Sequence, residues 1–453
     1  MSRKTNVLLF AGAALGMGST AVAGDLDLDR AYAAELRADA AGRTSLLQAG
    51  GGSGHDGVFH IGDASGVNRL NVRGVMQFRY LADFRDSSAT LGTDNETTIG
   101  FQMARARLIF DGNVINENLS FRVDGDFASP ANGDNSATGG GAAGAGNFGV
   151  FTRHKANAPQ PFEGEGSGWS ISWGQMKAPV LYEEFGNEDW MGLAVERSIV
   201  NEFFTGGYTQ GIAFGYKADQ WAFTGVINDG ANTANSPYNF QAVGNPEADF
   251  GLTARLDWKI QGDWAQFADM TSFRGSNMGA RLGGGFHYQH MGETNPSFAA
   301  TGAPLFEDLF LYTVDGAVEG DGWNIYAAIV GNHTEFQSGT GFSDMDDFGV
   351  LVQGGVFLTN DFEIFGRYDG LFLDDGGPGR SAMADDNLNF LTVGGNYYFV
   401  PESHAAKFTG DIVFSFNDSL PNGAGLFPSN TTGVLGDISD GEVLLRFQMQ
   451  LVF

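Results

Sequence analysis

From Val67 to the C-terminus the sequence alternates between apolar and polar at every second residue, in segment after segment. Between Arg69 and Tyr80, Val72, Met76, Phe78 and Tyr80 fall on one parity while Arg73, Gln77 and Arg79 fall on the other. Period two is the repeat of a β-strand, whose successive side chains point to opposite faces, so each such strand separates an apolar medium from a polar one. The pattern recurs at Ala104, Ala106, Leu108 and Phe110 against Arg105, Arg107 and Asp111, and at Phe121, Val123 and Phe127 against Arg122, Asp124 and Asp126. It returns at Leu252, Leu256 and Trp258 against Arg255 and Asp257, at Leu282 and Phe286 against Arg281 and His287, and at Phe447, Met449, Leu451 and Phe453 against Arg446, Gln448 and Gln450. Arginine keeps to the polar parity.

Such segments begin near Leu70, Ile99, Asn118, Asn147, Gly168, Tyr208, Asp219, Ala248, Met278, Glu307, Asp321, Asp346, Asp361, Asn387, Ala406 and Gly441. About sixteen alternating strands of roughly ten residues or more are the signature of a transmembrane antiparallel β-barrel. A closed barrel pairs every backbone N–H and C=O within the wall, which hydrocarbon demands. The competing all-β arrangement is a propeller, but no blade-length repeat with a recurring signature is present. The links also alternate. Very short ones lie at Ala218 and Asp219, Gly320 and Asp321, and Thr359 and Asn360; long polar ones span 83–98, 129–146, 178–207, 229–247, 292–306, 332–345, 373–386 and 418–440. With the N-terminus in the periplasm, every long link falls outside and every tight turn inside, as in outer-membrane barrels.

Residues 1–23 read as a signal peptide, with basic Arg3 and Lys4, an apolar stretch from Val7 to Met17 and the small residues Ala21 and Ala23 at a cleavage site. Residues 24–66 read as a periplasmic N-terminal segment, helix-like from Asp25 to Leu47 and then glycine-rich from Gly50 to Gly54. Residues 67–453 form the barrel. The chain has 25 basic and 54 acidic side chains, a formal net charge of −29, which excludes nucleic acid as a partner. It has no cysteine, so thiol catalysis, thiolate zinc sites and disulfides are excluded. Disorder is excluded by 39 phenylalanines and an aromatic content of 13%. The histidines are scattered and no Ser/His/acid grouping appears, so the sequence does not describe an enzyme.

Several runs resemble the phosphate-selective porin O/P family of outer-membrane porins. They are Arg105-Ala106-Arg107-Leu108 with Asp111-Gly112, then Asp124-Gly125-Asp126-Phe127, and Trp173-Gly174-Gln175-Met176-Lys177-Ala178-Pro179 followed by Glu183-Glu184, Glu196-Arg197-Ser198 and Tyr208-Thr209-Gln210-Gly211. At the last of these the family has an arginine where this chain has Tyr208-Thr209-Gln210. The resemblance implies a trimeric diffusion channel in the bacterial outer membrane, reached after signal-peptide cleavage near Ala23. Its third long loop, 178–207, would fold into the lumen and narrow it, with Lys177, Glu183, Glu184, Glu188, Asp189, Glu196 and Arg197 as constriction residues. The terminal Phe453 looks like the signal read by the barrel-assembly machinery.

Parity assigns Arg73, Arg79, Arg105, Arg107, Arg122, Asp124, Asp126, Arg255, Arg281, Arg367 and Arg446 to the pore wall. Two readings of these charges compete: mutually satisfied ladders that stiffen the wall, or a cationic strip of Arg105, Arg107 and Arg122 that attracts anions. The family implies phosphate or anion selectivity, whereas the acidic loops argue against it. Carboxylates clustered at Asp344, Asp346, Asp347, Asp374, Asp375, Asp385 and Asp386 suggest either a solvated rim or loop-bound calcium or magnesium; no complete calcium loop is present. The alternative to a channel is a non-conducting surface barrel that uses its loops for adhesion or binding.

Overall fold

The alternation becomes a closed wall. The structure is a computed structural model that describes residues 53–55, 58–63, 67–87, 94–116, 118–128, 149–154, 167–231, 248–291, 306–336, 343–374, 386–419, 432–437 and 441–453. The expected signal peptide and the helix-like leader lie outside the described residues. The chain divides into two units, Met1–Gly66 and Val67–Phe453. In the first, β1 (Ser53–His55) pairs antiparallel with β2 (Phe59–Gly62). Gly54, read from sequence as the end of a glycine-rich linker, is therefore a strand residue.

Among the described residues of the second unit there are sixteen strands. They are β3 (Arg69–Ser87), β4 (Asp94–Asn113), β5 (Leu119–Asp126), β6 (Gly149–His154), β7 (Gly168–Lys177), β8 (Tyr208–Lys217), β9 (Trp221–Asn228), β10 (Ala248–Gln261), β11 (Gly279–Met291), β12 (Phe306–Gly320), β13 (Trp323–Phe336), β14 (Met345–Phe357), β15 (Phe362–Phe372), β16 (Asn387–Tyr398), β17 (Ala406–Ser415) and β18 (Val443–Val452). Each pairs antiparallel with the next, and β18 returns to β3 in a register running from Val443 opposite Phe84 to Val452 opposite Val75. The ring has no free edge. At the seam Gly74 and Phe453 exchange two backbone hydrogen bonds, 2.6 and 3.0 Å, and a Cβ at Gly74 would fall 2.3 Å from the Phe453 ring. Glycine at 74 is what lets the terminal residue lie flat against the wall.

The two faces differ as the parity requires. Phe78, Ile212, Ile227, Leu256, Val314 and Ile329 are exposed on the outside, while Gln77, Arg79, Thr253, Arg255, Thr313 and Asp315 are buried within. A soluble barrel would bury the apolar set; here hydrocarbon is the solvent of the outer face. Aromatic residues gather at strand ends, as with Tyr216 against Trp221 at 4.9 Å and Tyr397 against Phe399 at 5.1 Å, the placement of an interfacial girdle.

Two expectations are corrected. Ala104, assigned to the outward parity, is buried because β4 carries a bulge there: Gln77 pairs with Arg105 and Phe78 with Met103, leaving Ala104 without an opposite residue. The extra residue switches the outward set from Ile99 and Phe101 to Leu108 and Phe110. The rule that every long link lies at one end also fails. The link 262–278 between β10 and β11 lies at the end of the tight turns and holds a 3-10 helix, Trp264–Ala268.

Candidate functional site

The segment that fills the barrel interior begins at the Trp173-Gly174-Gln175-Met176-Lys177-Ala178-Pro179 run. Gly174 has φ 121°, a backbone conformation closed to residues with a Cβ, and it ends the regular alternation of β7 just before the chain leaves the wall. The amide of Ala178 donates to the carbonyl of Gly207 at 3.0 Å, drawing together the base of the loop 178–207. Within it lie two short helices, Tyr182–Phe185 and Ile199–Phe204, and a 3-10 turn, Asp189–Met191. Ser198 caps the second helix by accepting from Asn201 N–H at 2.8 Å, while its hydroxyl donates to Glu183 at 2.5 Å.

One side of the loop is apolar. Leu193, Val200, Phe203 and Phe204 join inward residues of β14 to β16, among them Leu351, Phe365, Leu371 and Phe390, in a buried cluster. Gly349 of β14 makes the approach possible, since a Cβ there would sit 2.7 Å from Phe204 and 2.8 Å from Val200. The other side is charged and faces β3 to β5. Glu196 binds Arg79, with which its contact is very short, and Arg105 at 2.8 Å. Asp189 takes Arg107 at 2.9 Å, Arg105 at 3.3 Å and Lys177 at 3.6 Å, and pairs closely with Arg197. Glu188 takes Arg122 at 2.5 Å and Lys177 at 3.8 Å. The amide of Val195 donates to Asp411 at 3.0 Å, and Asn396, Lys407 and Gln450 donate to the carbonyls of Leu193, Gly192 and Trp190 at 2.8 to 3.0 Å. The loop thus reaches the wall on both sides of the β18–β3 seam.

These contacts set the protonation of the loop. Burial pushes the Glu188 carboxyl up, but Arg122 and Lys177 outweigh it and bring it down to about 2; for Glu196, burial opposes Arg105 and Arg79 with the same result, about 2. Asp189 is held well below its ordinary range, against burial, by Arg197, Lys177, Arg105 and Arg107. Glu183 goes the other way: burial raises it despite Arg367 and the Ser198 bonds.

On β10 to β12 the charges are satisfied within the wall. Arg255 reaches Asp257 at 2.7 Å and Asp315 at 2.8 Å, and Arg281 reaches the same two at 2.9 and 2.8 Å. The loop meets this quartet through Tyr182, whose ring lies under the Arg281 guanidinium at 3.4 Å, and through the Val180 carbonyl, which accepts from Arg255 at 2.8 Å. Arg446 is paired with Asp411 at 2.7 Å, and Arg367 with Asp369 at 3.2 Å and Glu183 at 3.8 Å.

Of the residues predicted from sequence, Arg79, Arg105, Arg107, Arg122, Lys177, Glu188, Asp189, Glu196 and Arg197 come together in one network. Asp124 and Asp126 brace its edge, at 2.9 Å from Arg122 and 3.4 Å from Arg107. Glu184 lies at the loop base, accepting from the Thr205 hydroxyl and standing 3.9 Å from Arg197. Arg73 is separate, half exposed and paired with Asp111 at 3.2 Å. The cationic strip of Arg105, Arg107 and Arg122 is corrected: these guanidiniums are bound to carboxylates of the loop. Asp315, Asp411 and Tyr182 were missed. The polar parity of their own segments would have found the first two; Tyr182 carried no signal.

The rim aspartates Asp346, Asp347 and Asp374 are tied to backbone amides and to His333, and among the described residues no group of three acidic or histidine side chains is placed to hold a metal. Asp375 and Asp385 lie outside the described residues.

No family model and no curated protein matches the chain. Solved structures do. An anion-selective porin from Comamonas acidovorans aligns with a TM-score of 0.53 at 11% identity, over 85% of this chain and 99% of that one. Salmonella typhi OmpF, solved in complex with daunomycin, aligns at 0.52 with 12% identity, over 85% and 98%. Pseudomonas putida OprB aligns at 0.50 with 8% identity, over 84% and 94%. The fold is that of outer-membrane porins.

Proposed function

We propose that the protein is a porin of the bacterial outer membrane, a passive diffusion channel for small hydrophilic solutes and ions. The observation that carries this is the loop 178–207 inside a closed ring of sixteen strands. A ring of that size encloses more space than wall side chains fill, and a segment of the chain itself is held across that space by ion pairs. The inner wall is charged on β3 to β5 and on β10 to β12, and apolar where the loop packs on β14 to β16.

Cations are favoured over anions. Arg79, Arg105, Arg107 and Arg122 are each bonded to a carboxylate, so the free cationic surface that phosphate selectivity requires is reduced where the lumen is narrowed, and the chain carries 54 acidic against 25 basic side chains. Membership of the phosphate-selective porin O/P family remains a reading of the quoted motifs. With it come a homotrimer, outer-membrane lipid as the surrounding partner, and recognition of the exposed Phe453 by the assembly machinery. The signal peptide supplies export.

The purified protein in a planar bilayer gives stepwise conductance. Protein that inserts and never conducts contradicts the proposal. That result selects the second reading, a surface barrel acting in adhesion or binding, which the dense packing of the loop interior favours.

A further inference from the structure

The link 262–278 lies at the end of the barrel where β8 and β9, β12 and β13, and β14 and β15 are joined by tight turns, yet it is long and its middle is buried: Phe267 is fully inaccessible, and Trp264, Met270, Thr271 and Ser272 are nearly so. Besides bonds to the adjacent turns at Ala218 and Asp321, it packs on the inner loop. Trp264, Phe267 and Met270 share one cluster with Val180, Leu181 and Tyr182 of the inner loop. The Tyr182 hydroxyl donates to the Phe267 carbonyl, and the Met270 amide donates to the Met191 carbonyl at 3.2 Å.

Beyond these contacts the link reaches the neighbouring β12 and, across the mouth, the ends of β14 and β16. Thr271 meets the Tyr398 hydroxyl on β16 at 3.2 Å, and the Ser272 hydroxyl donates to the Gly320 carbonyl at 2.6 Å. Arg274 donates to the carbonyls of Phe357 and Leu358 at 2.6 and 3.1 Å, and the Phe273 ring packs edge-on against Tyr398 and His404 at 5.2 and 5.6 Å. Glycines at positive φ bound it, Gly262 at 89° and Gly275 at 90°.

We infer that residues 262–278 form a second constriction element: a strap across the mouth opposite the long loops, which narrows the exit and is the floor on which the inner loop rests. A solute that passes the inner loop meets the strap next, so Thr271, Ser272 and Arg274 are positioning residues for the width of the path. This rests on the diffusion-channel reading.

The test uses the full chain in planar bilayers, comparing the unaltered protein with Thr271→Ala/Ser272→Ala/Arg274→Ala, which removes the side-chain tethers to β12, β14 and β16 and keeps the residues of the buried cluster. Single-channel conductance rises roughly two-fold when the strap is released, because conductance follows pore width. Equal conductance in the two proteins overturns the inference and leaves the channel reading standing. A silent unaltered protein with a conducting variant supports the strap and overturns free diffusion. If the variant does not fold, or if both proteins are silent, a second measurement decides. The chain has no cysteine, so Met191→Cys/Met270→Cys places the only two thiols on residues whose backbones are one hydrogen bond apart, a separation that a bifunctional maleimide spans. Cross-linking by that reagent supports the strap. Two thiols that both take up maleimide and do not cross-link overturn it.

Discussion

The barrel has two arginine-rich walls that use the same chemistry for different ends. On β3 to β5, Arg79, Arg105, Arg107 and Arg122 each pair with Glu188, Asp189 or Glu196 of the inner loop, and only Arg107 and Arg122 have a second carboxylate, Asp126 or Asp124, in the wall itself. On β10 to β12, Arg255 and Arg281 find Asp257 and Asp315 on neighbouring strands. The first wall is complete only when the loop is seated; the second is complete by itself and offers the loop only a ring and a carbonyl to rest on. Guanidinium groups facing a lumen therefore say little about what the lumen attracts until their partners are known. Here the wall that looked free to bind anions is the socket of the constriction.

Breaking the first wall at its most connected point has the largest effect. Asp189 holds Arg105, Arg107, Lys177 and Arg197, so Asp189→Asn takes one carboxylate from four buried cations at once. It lowers the stability of the folded barrel by about 3–5 kcal/mol, read as a lower temperature of loss of β-structure in detergent, and shifts ion preference toward anions. Glu196→Gln keeps the shape of the side chain and weakens two charge-assisted contacts, for about 2–3 kcal/mol and a smaller shift in the same direction. On the second wall, Asp315→Asn costs about 2 kcal/mol and leaves the reversal potential where it was, since the loop does not depend on it; a shift as large as that of Glu196→Gln would erase the distinction between the walls. Tyr182→Phe removes only the hydroxyl that reaches Phe267, for about 1 kcal/mol, with conductance steps unchanged in size.

Acid gives the smallest effect over the ordinary range. Glu188 and Glu196 are depressed in the folded protein from 4.5 to about 2. Their stabilisation is therefore complete above the ordinary glutamate value and is lost as pH falls from there toward 2. Conductance steps stay constant from pH 8 to about 5 and change only in stronger acid; a transition near neutrality would assign the gating group elsewhere.

The wall was legible in the sequence, and the family resemblance put the loop 178–207 inside it, but the pairings that hold the loop there were not legible. Gln77 and Phe78 betray their faces because period-two alternation is local, and a few residues suffice to read it. The bulge at Ala104 was invisible for the same reason: one extra residue reverses the parity without leaving a residue type behind. The inward position of Arg105 was read correctly, but its partner Glu196 lies 91 residues away, and a Coulomb contact across a lumen leaves no spacing in the chain. The link 262–278 went unseen because its apolar residues, Trp264, Phe267 and Met270, have neither strand periodicity nor turn composition. What they pack against is the inner loop, which only closure of the ring brings near.

The central claim is that loop carboxylates engage the guanidinium groups of the β3 to β5 wall and leave an open, cation-favouring path. The most direct measurement is the reversal potential of single channels of the unaltered protein and of Asp189→Asn in a potassium chloride gradient. The account predicts a potential of cationic sign for the first and a displacement toward the anionic sign for the second. An anionic sign in the unaltered protein, or no displacement in the variant, contradicts it.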